Sequence, residues 1–547
     1  MLLRKASPPF RLTCLWISTG VPMEWDIAIV GAGMGGAAFG YVLSLAGYRV
    51  VFLEKGYADR QDVDDDDPDE SDPEIRLAQT RWPDRLSALI DHRPVRFFPP
   101  LGCGSGGSTL LYAGTLERFS RSNFLPECQQ RGAGGWPFDY DVLEPYYRRV
   151  EEMFGVTGTA DPFHDGPAAA LQAPARLGEP DRDVFNLLMR NGYRPYRIHN
   201  ASCDPPRQGI VGQFGRVSPL GAKQVFIEPA LATGNANLID RCTVVRLEAG
   251  QERVQSLLCR RNDDVLTVKA KIFALAGGAL STPHLLLRSA NNVWPDGLAN
   301  SSGVVGCNLM FHVSDFVAVW PRGKGGQAQR SIALRDFYDG PGERFGILQS
   351  TGISVGPRHV AHFLKQRLDM GWWRLLRPIK PIFHALALIG AWLLGRATIF
   401  ATVLEDYPST DNRVKVLADE PDTVHFQYTI DTELRQRVMR FRALYRRAFR
   451  HRRTVLLTRD VNLNFGHACG TCRLGADRSL SVVDSEHRSH DLENLYIVDA
   501  SCFASSGGVN PSLTIAAMSI RAGELLRDRL DEAKGLSTEG SIGRNPI

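Results

Sequence analysis

The 547-residue sequence lacks most of the features that mark a specialised class of protein. Its ten cysteines are scattered, with one Cys-x-x-Cys at Cys469 and Cys472, so no disulfide framework is expected. A structural zinc site would need a second such pair, and a c-type haem site would need histidine where Arg473 stands. No metal is therefore expected. No apolar run reaches the roughly 20 residues of a spanning helix, which argues against a multi-span membrane protein. Neither sign of charge dominates either: 64 Lys and Arg against 60 Asp and Glu leave +4, too mild over this length to point to nucleic acid. What remains is 44% hydrophobic and 23% charged, ordinary for a soluble globular chain, with 52 glycines and 32 prolines for turns and close backbone approaches. The length predicts two or more lobes.

The run from Trp25, WDIAIVGAGMGGAAFGYVLSLAGYRVVFLEKG, supplies a strand, a tight turn, a helix and a second strand. Gly31, Gly33 and Gly36 form G-x-G-x-x-G where the first strand becomes the helix. The first glycine makes the turn, the second admits a pyrophosphate to the backbone, and the third lets helix and strand pack closely. The helix N-terminus then faces the phosphates. Glu54 ends the second strand, placed to accept hydrogen bonds from an adenosine ribose and to repel a 2'-phosphate.

A second glycine-rich stretch, 97 to 118, contains Ser105, Gly106, Gly107, Ser108 and Thr109. Such a loop lets backbone approach a flat or charged ligand, and it equally suits an ordinary turn. Residues 62 to 74 form an acidic run without the glycine and terminal glutamate of a calcium loop, and read as a solvated loop. Residues 271 to 276 and 495 to 498 are apolar strands that run into glycine and then a helix, as in a parallel sheet with ligand at its carboxyl edge. The nucleotide-binding lobe is thus expected to be discontinuous.

Taken together, GAGMGG with Glu54, GCGSGGSTLLYAG (102 to 114), GALSTPHLLLRSA (278 to 290), HACGTCRLG (467 to 475), SVVD (481 to 484) and LYIVDASCFASSGGVNPSLTI (495 to 515) resemble the glucose-methanol-choline (GMC) family of FAD-dependent oxidoreductases. One departure is Ser289-Ala290, where that family usually has Ser-Gly. The resemblance implies an α/β plus α+β fold, with a Rossmann-like FAD-binding domain interrupted by a substrate domain built on an antiparallel sheet with helices. The boundaries expected are an extension at 1–22, an FAD domain from 23–130, 205–315 and 460–530, a substrate domain from 131–204 and 316–459, and a tail at 531–547.

The resemblance also assigns roles. His467 matches the family's active-site histidine, and Asn510 the position that is His or Asn in its members. The implied reaction passes hydride from an alcohol carbon to the flavin while His467 takes the hydroxyl proton and Asn510 holds the oxygen. Asp499 and Ala500 look like the ribityl and pyrophosphate contact, and Pro511 and Thr514 lie at a helix start near the flavin ring. Together with Gly31, Gly33, Gly36, Glu54, Gly106, Gly107, Ser108 and Thr109 they form the expected cofactor set. FAD is expected to be non-covalent, because VRFFPPLG precedes the second glycine loop where some members carry a linking histidine. A lyase or a non-oxidising FAD-binding subunit on this fold is the competing reading.

Two segments stay open. Residues 381 to 395, PIFHALALIGAWLLG, suit a buried helix, a lid over the pocket, or an interfacial helix anchored by the Trp and Arg residues from 372 onward. Residues 435 to 453 are basic, with Val438, Phe441, Tyr445 and Phe449 near helical spacing. They suit a surface helix with its stripe packed inward, or contact with anionic lipid. Segments 372–396 and 435–453 together raise a peripheral membrane contact and a hydrophobic or sterol-like alcohol for a cytoplasmic protein, with dioxygen, a quinone or a cytochrome as acceptor.

Overall fold

The computed structural model describes residues 25–61, 71–125, 135–164, 166–203, 219–262, 264–322, 329–340, 343–353, 388, 390, 391 and 393–535. The N-terminal extension, most of the acidic run at 62 to 74 and most of 372 to 396 lie outside them. No helix among the described residues is long and apolar enough to cross a membrane.

The chain enters on β1 (Trp25–Val30), turns into α1 (Met34–Leu45) and returns as β2 (Val50–Leu53). Every residue of β2 is buried and so are four of the six in β1, the signature of parallel strands covered on both faces. A hairpin follows, β3 (Leu86–Ile90) and β4 (Arg93–Phe97), and then α2 (Tyr140–Met153). Further along come β5 (Ala236–Ile239), β6 (Ala270–Leu275), α3 (Ser281–Arg288) and β7 (Met310–Val313). The second half supplies β8 (Thr398–Leu404), β9 (Arg413–Leu417), β10 (Glu420–Tyr428), α4 (Thr432–Ala448), β11 (Leu463–Cys469), β12 (Leu495–Ile497) and α5 (Ser512–Ala533).

Five of these strands make a parallel sheet in the order β12-β6-β1-β2-β5. Its members come from three distant parts of the sequence, the interrupted arrangement that repeated strand-glycine-helix runs predict. Helix α5 covers this sheet beside α1, where a Cβ on Gly523 would come within 3.1 Å of Val42 Cβ. Helix α2 is tied to α5 by a 2.9 Å hydrogen bond between Tyr147 Oη and Thr514 Oγ1.

The second lobe has two larger sheets. One is antiparallel and seven-stranded, with β8, β7 and β11 side by side. The other runs β9-β10-β3-β4, so the hairpin at 86 to 97 pairs through β3 with one strand more than 300 residues away. Register between β7 and β11 is broken: Met310 pairs with Cys469 and His312 with Asn464, so two steps along one strand match five along the other. The surplus residues bulge, and His467 sits in the bulge. Such bulges re-aim side chains that a regular pleat would send elsewhere.

The basic segment forms α4, begun by Asp431, whose carboxylate accepts from Leu434 N at 2.7 Å. Val438, Phe441, Tyr445 and Phe449 are all buried. Several of its arginines are paired with acids on neighbouring elements: Arg435 with Asp91, Arg440 with Glu343, Arg442 with Asp315, and Arg452, just beyond the helix, with Asp183. The stripe therefore packs inward.

Candidate active site

A cavity of about 470 Å³ opens at the carboxyl edge of the parallel sheet. Its walls hold Gly31, Gly33, Glu54, Gly107, Ser108, Thr109, His467, Asp499, Ala500 and Pro511 of the expected set. Gly36, Gly106, Asn510 and Thr514 are not on the wall. Gly36 instead packs under the turn, where a Cβ would meet Gly31 O at 2.2 Å. Gly106 takes φ +108° at the entry to the second glycine loop. Thr514 spends its hydroxyl on Tyr147.

The first glycine loop shows whether a dinucleotide suits this wall. Gly31 has φ +100°, and a Cβ there would lie 2.6 Å from Ala276 O. Gly33 is different: its φ is −77° and the nearest atom to an added Cβ is Gly107 Cα at 3.8 Å. Space is thus left beside Gly33 itself. No side chain caps α1, so its first N–H groups are open to an anion. A pyrophosphate fits these donors.

Glu54 is buried and closes the cradle. Oε2 accepts from Ala32 N at 2.9 Å, and Oε1 accepts from Gly56 N at 2.9 Å and Gly104 N at 3.0 Å. Burial pushes its carboxyl above the usual range, while these three donors pull it back. Asp499 does the same at the other end. Its carboxylate accepts from Gly278 N at 2.8 Å, from the Thr282 hydroxyl at 2.6 Å and from Ser501 N at 2.8 Å. Burial raises this carboxyl too. Gly278 and Thr282, which the glycine-loop arguments did not single out, thereby join the start of α3 to the end of β12.

His467 reaches the cavity from the bulge of β11. Its Nδ1 lies 2.9 Å from Nδ1 of His312 on β7, and the two rings stand at 89°. Nε2 of His312 in turn faces two carbonyl oxygens, Ser506 at 3.0 Å and Gly507 at 2.8 Å. Burial, with smaller contributions from His312 and Arg330, holds the His467 imidazole well below its usual pKa. It is therefore neutral at pH 7. Asn510 ends the loop that His312 grips, and its Oδ1 is buried with no hydrogen-bond partner among the described residues.

His312 escaped the sequence reading. A single histidine in an apolar strand looks like a core residue, and only the pairing of β7 with β11 brings it to His467. The Cys469 and Cys472 thiols are free and fully buried, and burial pushes both far up, which leaves them poor redox groups.

A Rossmann-like sheet whose glycine loop and acidic residue share one cavity with a neutral histidine defines a dinucleotide-dependent oxidoreductase. The GMC oxidoreductase N-terminal profile matches residues 91–314 and its C-terminal profile residues 408–519. Among similar curated proteins, 2-methyl-1,2-propanediol dehydrogenase of Mycolicibacterium austroafricanum is 27% identical, over 93% of this chain and 96% of that protein. The 6'''-hydroxyparomomycin C oxidase of Streptomyces lividus is 28% identical, over 92% of each. The crystal structure of pyridoxine 4-oxidase from Mesorbium loti superposes with a TM-score of 0.63 at 18% identity, covering 92% of this chain and 99% of that one, and shares the fold. The chain belongs to the GMC oxidoreductases, a family of FAD-dependent enzymes.

Proposed function

We propose that this protein oxidises a small alcohol at a CH–OH carbon, with His467 as the base and Asn510 as the group that holds the substrate oxygen. The observation that carries this reading is the presence of a neutral, half-buried imidazole in the same cavity as an open dinucleotide cradle. A base must be unprotonated before the reaction, and burial keeps His467 so at neutral pH.

Gly33, Glu54 and Asp499 would hold FAD, which when bound would supply the hydride acceptor. The residues of the chain do the rest. Nδ1 of His467 is engaged by His312, which leaves Nε2 to take the hydroxyl proton as the carbon gives up hydride and the C–O bond becomes a carbonyl. Asn510, next to Pro511 of the cavity wall, has a buried Oδ1 without a partner among the described residues, and its Nδ2 is the group that donates to the substrate oxygen while the hydroxyl hydrogen goes to His467. The uncapped start of α5 at Pro511 and Ser512, also on the cavity wall, favours negative charge that builds up nearby. FAD is held without a covalent bond, a reading supported by Val95 to Gly102, which contain no histidine. Acid precipitation should release it into the supernatant.

Substrates of the diol, amino-sugar and pyridoxine type, the compounds in the names of the relatives, are the proposed class. Anaerobic titration of the purified holoenzyme with these alcohols tests the reading. An oxidoreductase bleaches its flavin absorbance with a true substrate. Persistent yellow colour with every alcohol, including sterols and long-chain alcohols, would favour a non-oxidising flavoprotein instead.

A further inference from the structure

We propose that His312 is a positioning residue that fixes His467 in the one tautomer able to act as base, and ties it to the loop that ends in Asn510. The inference rests on reading His467 as the base.

The carbonyl oxygens of Ser506 and Gly507 can only accept hydrogen bonds, so Nε2 of His312 must donate to them. A neutral imidazole carries one N–H, so Nδ1 of His312 has a lone pair. The 2.9 Å contact between the two Nδ1 atoms then needs its proton from His467. With the proton on Nδ1, the lone pair of His467 is on Nε2, the atom left for the substrate. Exchanging the protons would put an N–H where the base must be.

The surroundings favour this state. His312 is fully buried, and burial lowers its pKa, so it stays the neutral acceptor. The charged groups that bear on the pair are Arg330, which acts on His467, and Glu405, which acts weakly on His312. Arg330 donates to Thr115 Oγ1 at 2.6 Å, and Glu405 is paired with Arg344 at 2.8 Å. An uncharged acceptor orients the base without raising its pKa as a carboxylate would. The same ring carries the second link: β11 holds His467 and the loop at 505 to 510 holds Asn510, and His312 is hydrogen-bonded to both segments.

Two substitutions separate these roles. In His312→Asn, Oδ1 takes the place of Nδ1 and still accepts from His467, while the bond to Ser506 and Gly507 is lost. In His312→Gln, the amide N–H takes the place of Nε2 and keeps the loop, while the acceptor is lost. We expect both holoenzymes to retain FAD. Anaerobic flavin reduction at saturating alcohol should run close to the wild-type rate in the Asn variant, with weaker substrate binding because the Asn510 loop is released, and roughly 10- to 100-fold slower in the Gln variant, with substrate binding unchanged, the range seen on removing the partner of a metal-bound imidazole. Equal rates in both, whether fast or slow, would overturn the proposal. In parallel, ¹⁵N-histidine NMR of the wild-type holoenzyme, assigned with His467→Ala, should show His467 protonated at Nδ1. A proton on Nε2 would overturn it regardless of how the variants fold. If His467→Ala itself reduces flavin normally, the base assignment fails, which is a separate outcome.

Discussion

The backbone N–H of Gly104 donates to Oε1 of Glu54 at 3.0 Å, across 50 residues of sequence. Through this bond the second glycine loop is anchored to the carboxylate that also holds Ala32 and Gly56. The two glycine-rich segments of the sequence are therefore one structural unit.

Glu54→Ala should disturb both loops together. Three buried N–H groups lose their acceptor, at about 1–3 kcal/mol for each one left unsatisfied. The purified variant is expected to melt well below wild type and to carry little FAD, read as the ratio of flavin to protein absorbance. A variant that keeps full flavin and wild-type stability would show that the carboxylate organises neither loop.

The glycines of the first turn should divide into two kinds. At Gly35 a Cβ would stand 1.8 Å from the Val498 carbonyl oxygen, so Gly35→Ala should cost about 3 kcal/mol or more through overpacking against backbone. Gly33→Ala meets nothing closer than 3.8 Å and should leave the apoprotein as stable as wild type. Its methyl nevertheless takes the space reserved for a pyrophosphate. FAD affinity should fall by about 1–3 kcal/mol, roughly 5- to 150-fold. Differential scanning fluorimetry of apoprotein and flavin titration by fluorescence quenching distinguish the two cases.

These contrasts show what could be read from the sequence. Gly31, Gly33, Gly36 and Glu54 announce themselves because turn, phosphate approach and packing are local demands met within thirty residues. Gly35, in the same motif, has its constraint imposed by Val498, far along the chain, and nothing near it in sequence says so. His312 is the extreme case, 155 residues from its partner. Its role depends on a strand pairing and a bulge, and both follow from long-range packing. The hairpin at 86 to 97 was likewise hidden, since its partner strand β10 enters the chain more than 300 residues later.

Acid should destabilise the fold through its buried histidines. Burial lowers His487 from the ordinary 6.5 to about 4. The unfolded chain takes up a proton that the folded chain refuses, so stability present above pH 6.5 is lost as the pH falls toward 4. For this group alone the loss is about 3 kcal/mol. His487→Asn tolerates the positive φ of 67° and can donate to Ile497 O as the ring does, at 2.9 Å in the wild type. Its melting temperature should fall less steeply between pH 7 and pH 4 than that of wild type. Parallel pH profiles would contradict the assignment.

The ion pair of Arg118 and Glu151 offers a test of what holds α2 against the chain that follows the second glycine loop. Its two bonds measure 2.6 and 2.7 Å and both side chains are buried. Arg118→Met strands a buried carboxylate and should cost about 3–5 kcal/mol, whereas the double variant Arg118→Met/Glu151→Leu should recover much of it. Chemical denaturation of the single and double variants measures the difference. A single variant as stable as wild type would mean that solvent reaches Glu151.

The claim on which the functional account depends is that His467 removes the substrate proton. Stopped-flow reduction of the holoenzyme under anaerobic conditions, with a saturating alcohol, measures that step directly. For His467→Ala the account predicts full FAD occupancy and flavin reduction slowed by about 10²-fold or more. Reduction at the wild-type rate in a fully loaded variant would contradict it.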